Sequence, residues 1–322
     1  MAIQILCIAG PTASGKSSRA VEEALARDGE VISVDSRQVY RGLDIGTEKI
    51  TKEDMRGVPH HLIDIRDPDE TYSAGDFVAD ATRMITEITA RKKLPILVGG
   101  THFYFNALLN GLPARVDANP ALRDELEKLS TEELYAQIMQ RDPRRATALD
   151  PSNRRRLIRA LEIVASLGSV PPQSGKVKLS KDFGKFNFPD EAYEIKWIVI
   201  DPPREELRAR IDARLTSALE RGLVDEVHRI REYLANHNFC GRRNYGYADT
   251  RLKELGLEYK IVGEFLNLGV GHPSLLGCPT PKLLLSTLSA KLWQYARRQK
   301  AWLRKLRDEH TISAEPSHPD RS

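Results

Sequence analysis

The sequence predicts an α/β protein: a parallel sheet flanked by helices, with a helical lobe inserted before the last sheet strand. Three observations lead there. Over roughly the first hundred residues, short apolar runs alternate with helix-like patterns, the rhythm of strand–helix–strand units. Each early run ends in a glycine or polar turn, and between the fourth and fifth runs only helical patterns occur. With 322 residues the chain can bury such a core together with a second lobe.

In chain order, strands are expected at Ile3–Ala9, Val31–Asp35, His61–Ile65, Pro95–Gly99 and Ile195–Asp201. A helix begins after Ser73, which can cap it with Asp76 three residues on, and Phe77, Ala81, Met84, Ile85 and Ile88 form its apolar stripe. Ala121–Arg141 and Ser152–Leu167 also carry a helical period, which assigns residues 115–194 to the inserted lobe and residues 1–114 and 195–322 to the core. The stretch "GSVPPQSGKVKLSKDFGKFNFPDE" reads as a connector. Further helices are expected over Arg204–Ala235 and Pro281–Arg307. In the last, Leu288, Leu292, Tyr295, Trp302 and Leu306 share one stripe, and Arg297, Lys300, Arg304 and Arg307 share another. The tail from Ser313 is expected to be disordered.

Hydrophobic residues make up 41% and charged residues 29% of the chain, which argues against disorder and against a membrane protein. No apolar run approaches the roughly 20 residues that span a bilayer, and the apolar start "MAIQILCIAG" has no charged leader, so a cytoplasmic protein without membrane contact is expected. Cys7, Cys240 and Cys278 lie far apart without a Cys-x-x-Cys pair, so they read as packing residues. The net charge of +4 is unevenly spread. Arg141–Arg159 contains seven arginines against two acids, and Lys291–Arg307 contains seven Lys or Arg and no acid. Such clusters suit a polyanion, and equally a solvated helix face.

The most informative short stretch is "GPTASGKS". Gly10, Pro11, Thr12, Ala13, Ser14, Gly15, Lys16 and Ser17 follow an apolar strand and open a helix, the context that a P-loop requires. Glycines let successive N–H groups curl round an anion, the helix start adds partial positive charge, Lys16 reaches the outer phosphate, and Ser17 can ligate Mg²⁺. Alone, this motif fits an ATP-dependent small-molecule kinase, with Asp35 positioning an acceptor or Mg²⁺; Asp35 also suits a plain turn or cap. The pair His60–His61 has no third ligand at metal spacing and reads as structural.

Taken together, "GPTASGKS", "DSRQVYRGLDIGTEK", "PHHLIDI", "YSAGDF", "LVGGTHFYFNALLNGL", "RRLIRALE" and "QYARRQKAWLR" closely resemble the bacterial tRNA dimethylallyltransferases, from about Ile5 to Arg307. The resemblance implies a P-loop NTPase-like core with a tRNA-binding insertion. It implies transfer of a dimethylallyl group from dimethylallyl diphosphate to N6 of the adenosine 3′ to the anticodon, with Mg²⁺ as cofactor. By similarity, Asp35 is the general base, and Thr12 and Lys16 act at the diphosphate, with an arginine from Arg210 or Arg214. Asp35, Ser36, Arg37, Gln38 and Thr101 match segments that contact the target nucleotide. Arg123, Arg155, Arg156, Leu157, Ile158 and Arg159 fall in the tRNA-contacting lobe. The adenosine would be drawn out of its stack, and Tyr40, Tyr72, Phe103 and Tyr104 are candidates to stack on bases or wall the isoprenoid, with core packing the stronger expectation for Phe103. The partners implied are the tRNA anticodon stem-loop and dimethylallyl diphosphate, with the enzyme a monomer.

Three departures from the family pattern stand out. A Gly-Tyr-Lys/Arg-Glu block is replaced by "NYGYADTRLKEL", which keeps Gly246 and Tyr247; the spacing from Leu252 to Pro281 is irregular; and His102 stands where glycine or methionine is usual. Adenylate isopentenyltransferase, which prenylates free AMP or ATP, and a P-loop kinase or RNA-binding module are the alternatives. The arginine-rich insertion argues against the first, and "DSRQVYRGLDIGTEK" against the second.

Overall fold

The computed structural model describes residues 3–111, 116, 119–170, 193–237, 243–267, 281–310 and 314–315. The chain divides into two compact units, Met1–Leu109 with Lys181–Ser322, and Asn110–Ser180. Its first part runs β1 (Ile3–Ala9), α1 (Lys16–Arg27), β2 (Gly29–Val34), α2 (Lys52–Met55), β3 (His60–His61), α3 (Ala74–Ala90), β4 (Leu94–Gly99) and α4 (His102–Asn110). The second unit holds α5 (Pro120–Leu126), α6 (Thr131–Arg141), α7 (Pro143–Thr147) and α8 (Arg154–Leu167). The chain then returns through β5 (Tyr193–Ile200), α9 (Arg204–Glu220), α10 (Leu223–His237), α11 (Tyr245–Leu255), α12 (Leu257–Asn267), α13 (Pro281–His310) and β6 (Ala314–Glu315).

The strands form one sheet in the order β3-β2-β4-β1-β5-β6, and every pairing is parallel. Parallel strands need crossovers, which cover both faces and leave the central strands apolar throughout. β1 shows the consequence residue by residue. Ile5, Cys7 and Ala9 pack on one face with Phe77, Ile85 and Leu303. Leu6 and Ile8 pack on the other with Ala20, Val21 and Ala24 of α1. Burial pushes the Cys7 thiol's pKa up, so it stays a neutral packing group. A separate cluster joins α9 to α13 around Leu215, Val227, Leu252, Tyr259 and Leu288, and takes in Tyr40 and Leu43 from the loop after β2. Among the described residues, no helix is long and apolar enough to cross a membrane.

At four points the structure corrects or refines the sequence reading. The strand expected at His61–Ile65 stops at His61, because Leu62 and Asp64 take positive φ. Their segment pairs with the loop after β2 instead, Asp64 N donating to Gln38 O and Ile65 N to Val39 O. Ala121–Arg141 is two helices, since Ser130 and Glu133 form a capping box that starts α6. Arg204–Ala235 is likewise divided, at Gly222 with φ 94°. Finally, Ala314 and Glu315 lie in the expected disordered tail yet pair with Val199 and Ile200 of β5. The Ser73–Asp76 capping box and all five buried positions of α3 agree with the sequence reading. Cys240, Cys278, most of the expected connector and much of the irregular stretch before Pro281 lie outside the described residues.

Candidate active site at the carboxyl edge of the sheet

β1 ends at Ala9 and the chain enters the loop Gly10–Ser17. Gly15 caps α1 at φ 80°, a conformation that favours glycine, and Ala13 also has positive φ at 59°. No side chain caps the helix and its first turn has no acid, so its opening N–H groups and partial positive charge face an incoming anion. Lys16 Nζ lies 3.3 Å from Pro11 O, which curls its stem back along the loop. Ser14 is fully buried, and its Oγ has no hydrogen-bond partner.

Thr12 is held from two directions. Gln299 Oε1 accepts from its N–H at 3.0 Å. Arg214 Nη1 donates to its hydroxyl. The other guanidinium contacts of Arg214 are Gly46 O at 3.1 Å and Glu258 at 3.3 Å, with Nε 2.6 Å from Glu48 in an ion pair whose angle does not make a hydrogen bond. Arg210, by contrast, pairs with Glu206 one turn away on the same helix. Of the two candidate arginines, Arg214 reaches the phosphate loop, through Thr12.

Asp35 follows β2. Its Oδ1 accepts from Arg37 N at 2.8 Å and Gln38 N at 3.3 Å, so the turn role and an aimed carboxylate coexist: one oxygen fixes the group and Oδ2 remains available. Gln38 is itself locked, accepting from Ser33 and donating to Thr47 O and Glu48 O. The stem of Arg37 lies over Gly256. Ser36 is half-buried beside it, and half-buried Thr101 starts α4 by accepting from Tyr104 N and Phe105 N. Burial pushes the Glu258 carboxyl up in pKa against the pull of Arg214, and the Asp35 charge adds to that rise. Burial, with the charges of Asp35 and Glu258, pushes the Tyr295 hydroxyl up to about 12. Asp35, Glu258 and Tyr295 therefore share one electrostatic neighbourhood.

Four supporting residues escaped sequence reasoning. Buried Glu226 accepts from the backbone N–H of Asp44, Ile45 and Gly46 and from Tyr259 OH, fixing the loop whose Gly46 carbonyl receives Arg214. Gln299 lies within the quoted "QYARRQKAWLR", and Glu258 and Tyr259 open α12, downstream of the Gly246–Tyr247 remnant. Their only signal was a polar residue within an apolar period, which does not identify a partner some 180 or 290 residues away.

The aromatic expectations divide. Tyr104 is buried and stacks on Phe77 at 4.3 Å, Tyr40 is buried under Arg251, and Tyr72 donates to Asp80. Phe103 is 51% exposed, against the expectation of core packing, because α4 buries Tyr104, Phe105 and Leu108 on its other face. His102 lies 5.8 Å from the Trp302 ring. His60 hydrogen-bonds to Val58 O, and His61 to Glu30, which also binds Arg91, so both histidines serve the strand start. On α13, Lys300 and Arg307 turn to Asp201, while Arg297 and Arg304 stay exposed.

Within the second unit, Leu157 and Ile158 are 0% and 5% exposed and belong to its core, which corrects their assignment as tRNA contacts: a helix that presents Arg155 and Arg156 must bury the positions between them and Arg159. Arg123 and Arg159 both bind buried Glu162. Burial works to raise that carboxyl's pKa, but Arg123, the Asn119 amide and Arg159 outweigh it and hold it below the ordinary glutamate range. Arg155 and Arg156 remain exposed at the start of α8.

The family model described as IPP transferase matches residues 38–306. Curated relatives extend the likeness through the phosphate loop. A tRNA dimethylallyltransferase of Roseiflexus sp. (strain RS-1) is 37% identical over 98% of this chain and 94% of its own. The tRNA dimethylallyltransferase 1 of Trichlorobacter lovleyi is 45% identical over 70% of this chain and 72% of its own. Among solved structures, a eukaryotic dimethylallyltransferase acting on tRNA superposes with TM-score 0.73 at 28% identity, covering 98% of this chain and 73% of the other. A full-length tRNA isopentenylpyrophosphate transferase from Bacillus halodurans gives TM-score 0.60 at 37% identity, over 94% and 86%.

Proposed function

Because the chain belongs to the IPP transferase family, we propose that it transfers the dimethylallyl group of dimethylallyl diphosphate to N6 of the adenosine 3′ to the anticodon in tRNA, releasing diphosphate. One observation carries the assignment most directly. A phosphate loop whose Thr12 is gripped by an arginine lies at the same sheet edge as Asp35, an aspartate with one carboxylate oxygen fixed and the other available.

The chemistry needs those two poles. As the C1–O bond of the donor lengthens, negative charge gathers on the departing diphosphate. The N–H groups opening α1, with Lys16, Thr12 and Arg214, would stabilise it more strongly in the transition state than in the bound donor. The adenine amine is a weak nucleophile whose proton becomes acidic only as the N6–C1 bond forms. Asp35 Oδ2 would accept that proton, so the products are the N6-prenylated adenosine, diphosphate and a protonated carboxyl. Ser36, Arg37, Gln38 and Thr101 would line the approach of a nucleotide drawn from its stack. Exposed Arg155 and Arg156 would meet tRNA phosphates.

Mg²⁺ fits the site as an ion that arrives with the diphosphate. Among the described residues no group of three His, Cys, Asp or Glu is arranged to hold a metal, whereas Ser17 supplies a hydroxyl in the first turn of α1, and Mg²⁺ commonly keeps waters and phosphate oxygens with few protein ligands. When bound it would neutralise charge on the leaving group.

The test is transfer of labelled dimethylallyl diphosphate, with Mg²⁺, to an unmodified tRNA carrying the target adenosine, beside the same tRNA without it and beside AMP. Label only in the first supports the assignment. Label in AMP alone moves the enzyme to the free-nucleotide prenyltransferases, and ATP hydrolysis with no label anywhere overturns prenyl transfer.

A further inference from the structure

The helix α13 carries a polar side chain where its packing asks for an apolar one. Gln299 is 4% exposed, and the residues one turn to either side, Ala296 and Leu303, are 0% and 1% exposed. Burying a carboxamide is unfavourable unless its donor and acceptor are both satisfied. Here they are, and by two different catalytic loops. Oε1 accepts from Thr12 N at 3.0 Å, in the loop after β1. Nε2 donates to Gly100 O at 3.0 Å, in the loop after β4. Only this orientation of the amide satisfies both, since the reverse would set N–H against N–H and oxygen against oxygen. Gly100 is required by the same contact: a Cβ there would come within 2.4 Å of Nε2.

Strands β1 and β4 are neighbours in the sheet, with Ala9 paired to Gly99. Backbone pairing fixes their distance as far as those residues, and one residue on they are still close, a Cβ on Gly100 coming within 3.2 Å of Gly10 O. Gln299 carries the link on to Thr12, three residues past the ladder, and ties the phosphate loop to the turn that carries Thr101. If the sole task were to hold α13 on the sheet, other side chains already perform it. Lys300 reaches Asp201 and Pro202 O after β5, and Leu303 and Leu306 pack into the core of that face.

We propose that Gln299 is a positioning residue for the transfer reaction: its carboxamide bridges Thr12 N and Gly100 O and so sets the phosphate loop against the nucleotide channel. This rests on the function proposed above, in which Thr12 stands beside the diphosphate and Thr101 lines that channel. Gln299 touches neither substrate. Its effect passes through the geometry of in-line displacement, where a small misplacement of the leaving group against the nucleophile costs rate far more than binding.

The experiment compares the wild-type protein with Gln299→Leu, which fills the same volume without either hydrogen bond, and with Leu303→Ala, which loosens the same helix without touching the bridge. For each, kcat, KM for dimethylallyl diphosphate, KM for tRNA and Tm are measured, together with the affinity for inorganic diphosphate and Mg²⁺ by calorimetry. Gln299→Leu is expected to lose between about 10- and 100-fold in kcat with KM for tRNA within about twofold, and to bind inorganic diphosphate more weakly. Leu303→Ala is expected to lower Tm at least as much while kcat stays within about threefold. A Gln299→Leu kcat within threefold of wild type overturns the inference, and so does a loss of kcat that follows Tm equally in both variants. If Gln299→Leu fails to fold, Gln299→Glu, which keeps an acceptor for Thr12 N and loses the donor to Gly100 O, takes its place under the same criteria. If the wild-type protein transfers nothing, the reaction assigned above fails by itself. Gln299 is then judged on diphosphate affinity, and equal affinity in wild type and variant overturns its role.

Discussion

Replacing Arg214 with alanine should cost the enzyme most of its rate, whereas the same change at Arg210 should cost almost nothing. The two arginines stand four residues apart in "RARIDARL" and are equivalent in composition and spacing. Their surroundings are not. Arg210 makes an i,i+4 ion pair with Glu206 on a helix surface, a type of pair that contributes about 0.3–0.5 kcal/mol. Arg214, whose side chain is 11% exposed, reaches Thr12 Oγ1 and Gly46 O and is flanked by Glu48 and Glu258. Losing a preorganised donor to a developing oxyanion costs about 2.7–4 kcal/mol, or roughly 10²–10³ in kcat. The truncation also leaves Glu258, whose side chain is 12% exposed, without its cation, which should lower stability by about 2 kcal/mol. Arg214→Lys keeps the charge but cannot hold Thr12 and Gly46 together, so its kcat should fall between those of wild type and alanine. The assay is initial-rate transfer of labelled dimethylallyl diphosphate at saturating tRNA, with thermal melts of each variant. An Arg214→Ala kcat within threefold of wild type, or a larger loss at Arg210 than at Arg214, would refute the reasoning.

Three other outcomes are expected. Asp35→Ala should lower kcat by at least about 100-fold while tRNA affinity, measured by filter binding, stays within about threefold; matched loss of binding would remove Asp35 from proton transfer. Arg155→Ala combined with Arg156→Ala should weaken tRNA binding and flatten its logarithmic salt dependence by up to about 2 units, and an unchanged slope would take both residues off the interface. Glu162 has a pKa held below its unfolded value, so it stabilises the second unit above the ordinary glutamate pKa, and that contribution is lost as pH falls through the depressed value. Glu162→Gln should accordingly lower stability by about 2 kcal/mol at pH 7, with the gap between wild type and variant narrowing in denaturant titrations as pH falls from the ordinary glutamate range through the depressed value; a pH-independent gap would mean that packing and not charge carries the effect.

The parts of this molecule that are local in sequence were legible in it. β1 was placed to the residue, and α3 by its start and its buried stripe, because alternation, helical period and the Ser73–Asp76 box are written within a few positions of one another. The phosphate loop was legible for the same reason. What escaped was decided by distant partners. The β3 segment has the composition of a strand, yet Leu62 and Asp64 turn it away so that its amides reach Gln38 and Val39. β6 consists of two residues that pair with β5, more than a hundred positions earlier. Choosing Arg214 over Arg210 required knowing which face of α9 meets Thr12. Leu157 and Ile158 inherited a role from a motif, while their apolar character, read as such, already pointed to the core.

The loop Asp44–Gly46 ends on a carboxylate 180 residues or more downstream, and Thr12 ends on a carboxamide 287 residues downstream. A ribosome makes this chain from the amino end, and domains begin to fold as they emerge. The first four strands can pair early, yet the phosphate loop they present lacks Arg214 until synthesis has reached α9 and lacks Gln299 until it has reached α13. The proposed catalytic edge of the sheet is therefore finished only after α13 has been made. A nascent or truncated chain ending before α13 would hold the sequence signature of the active site without its working geometry.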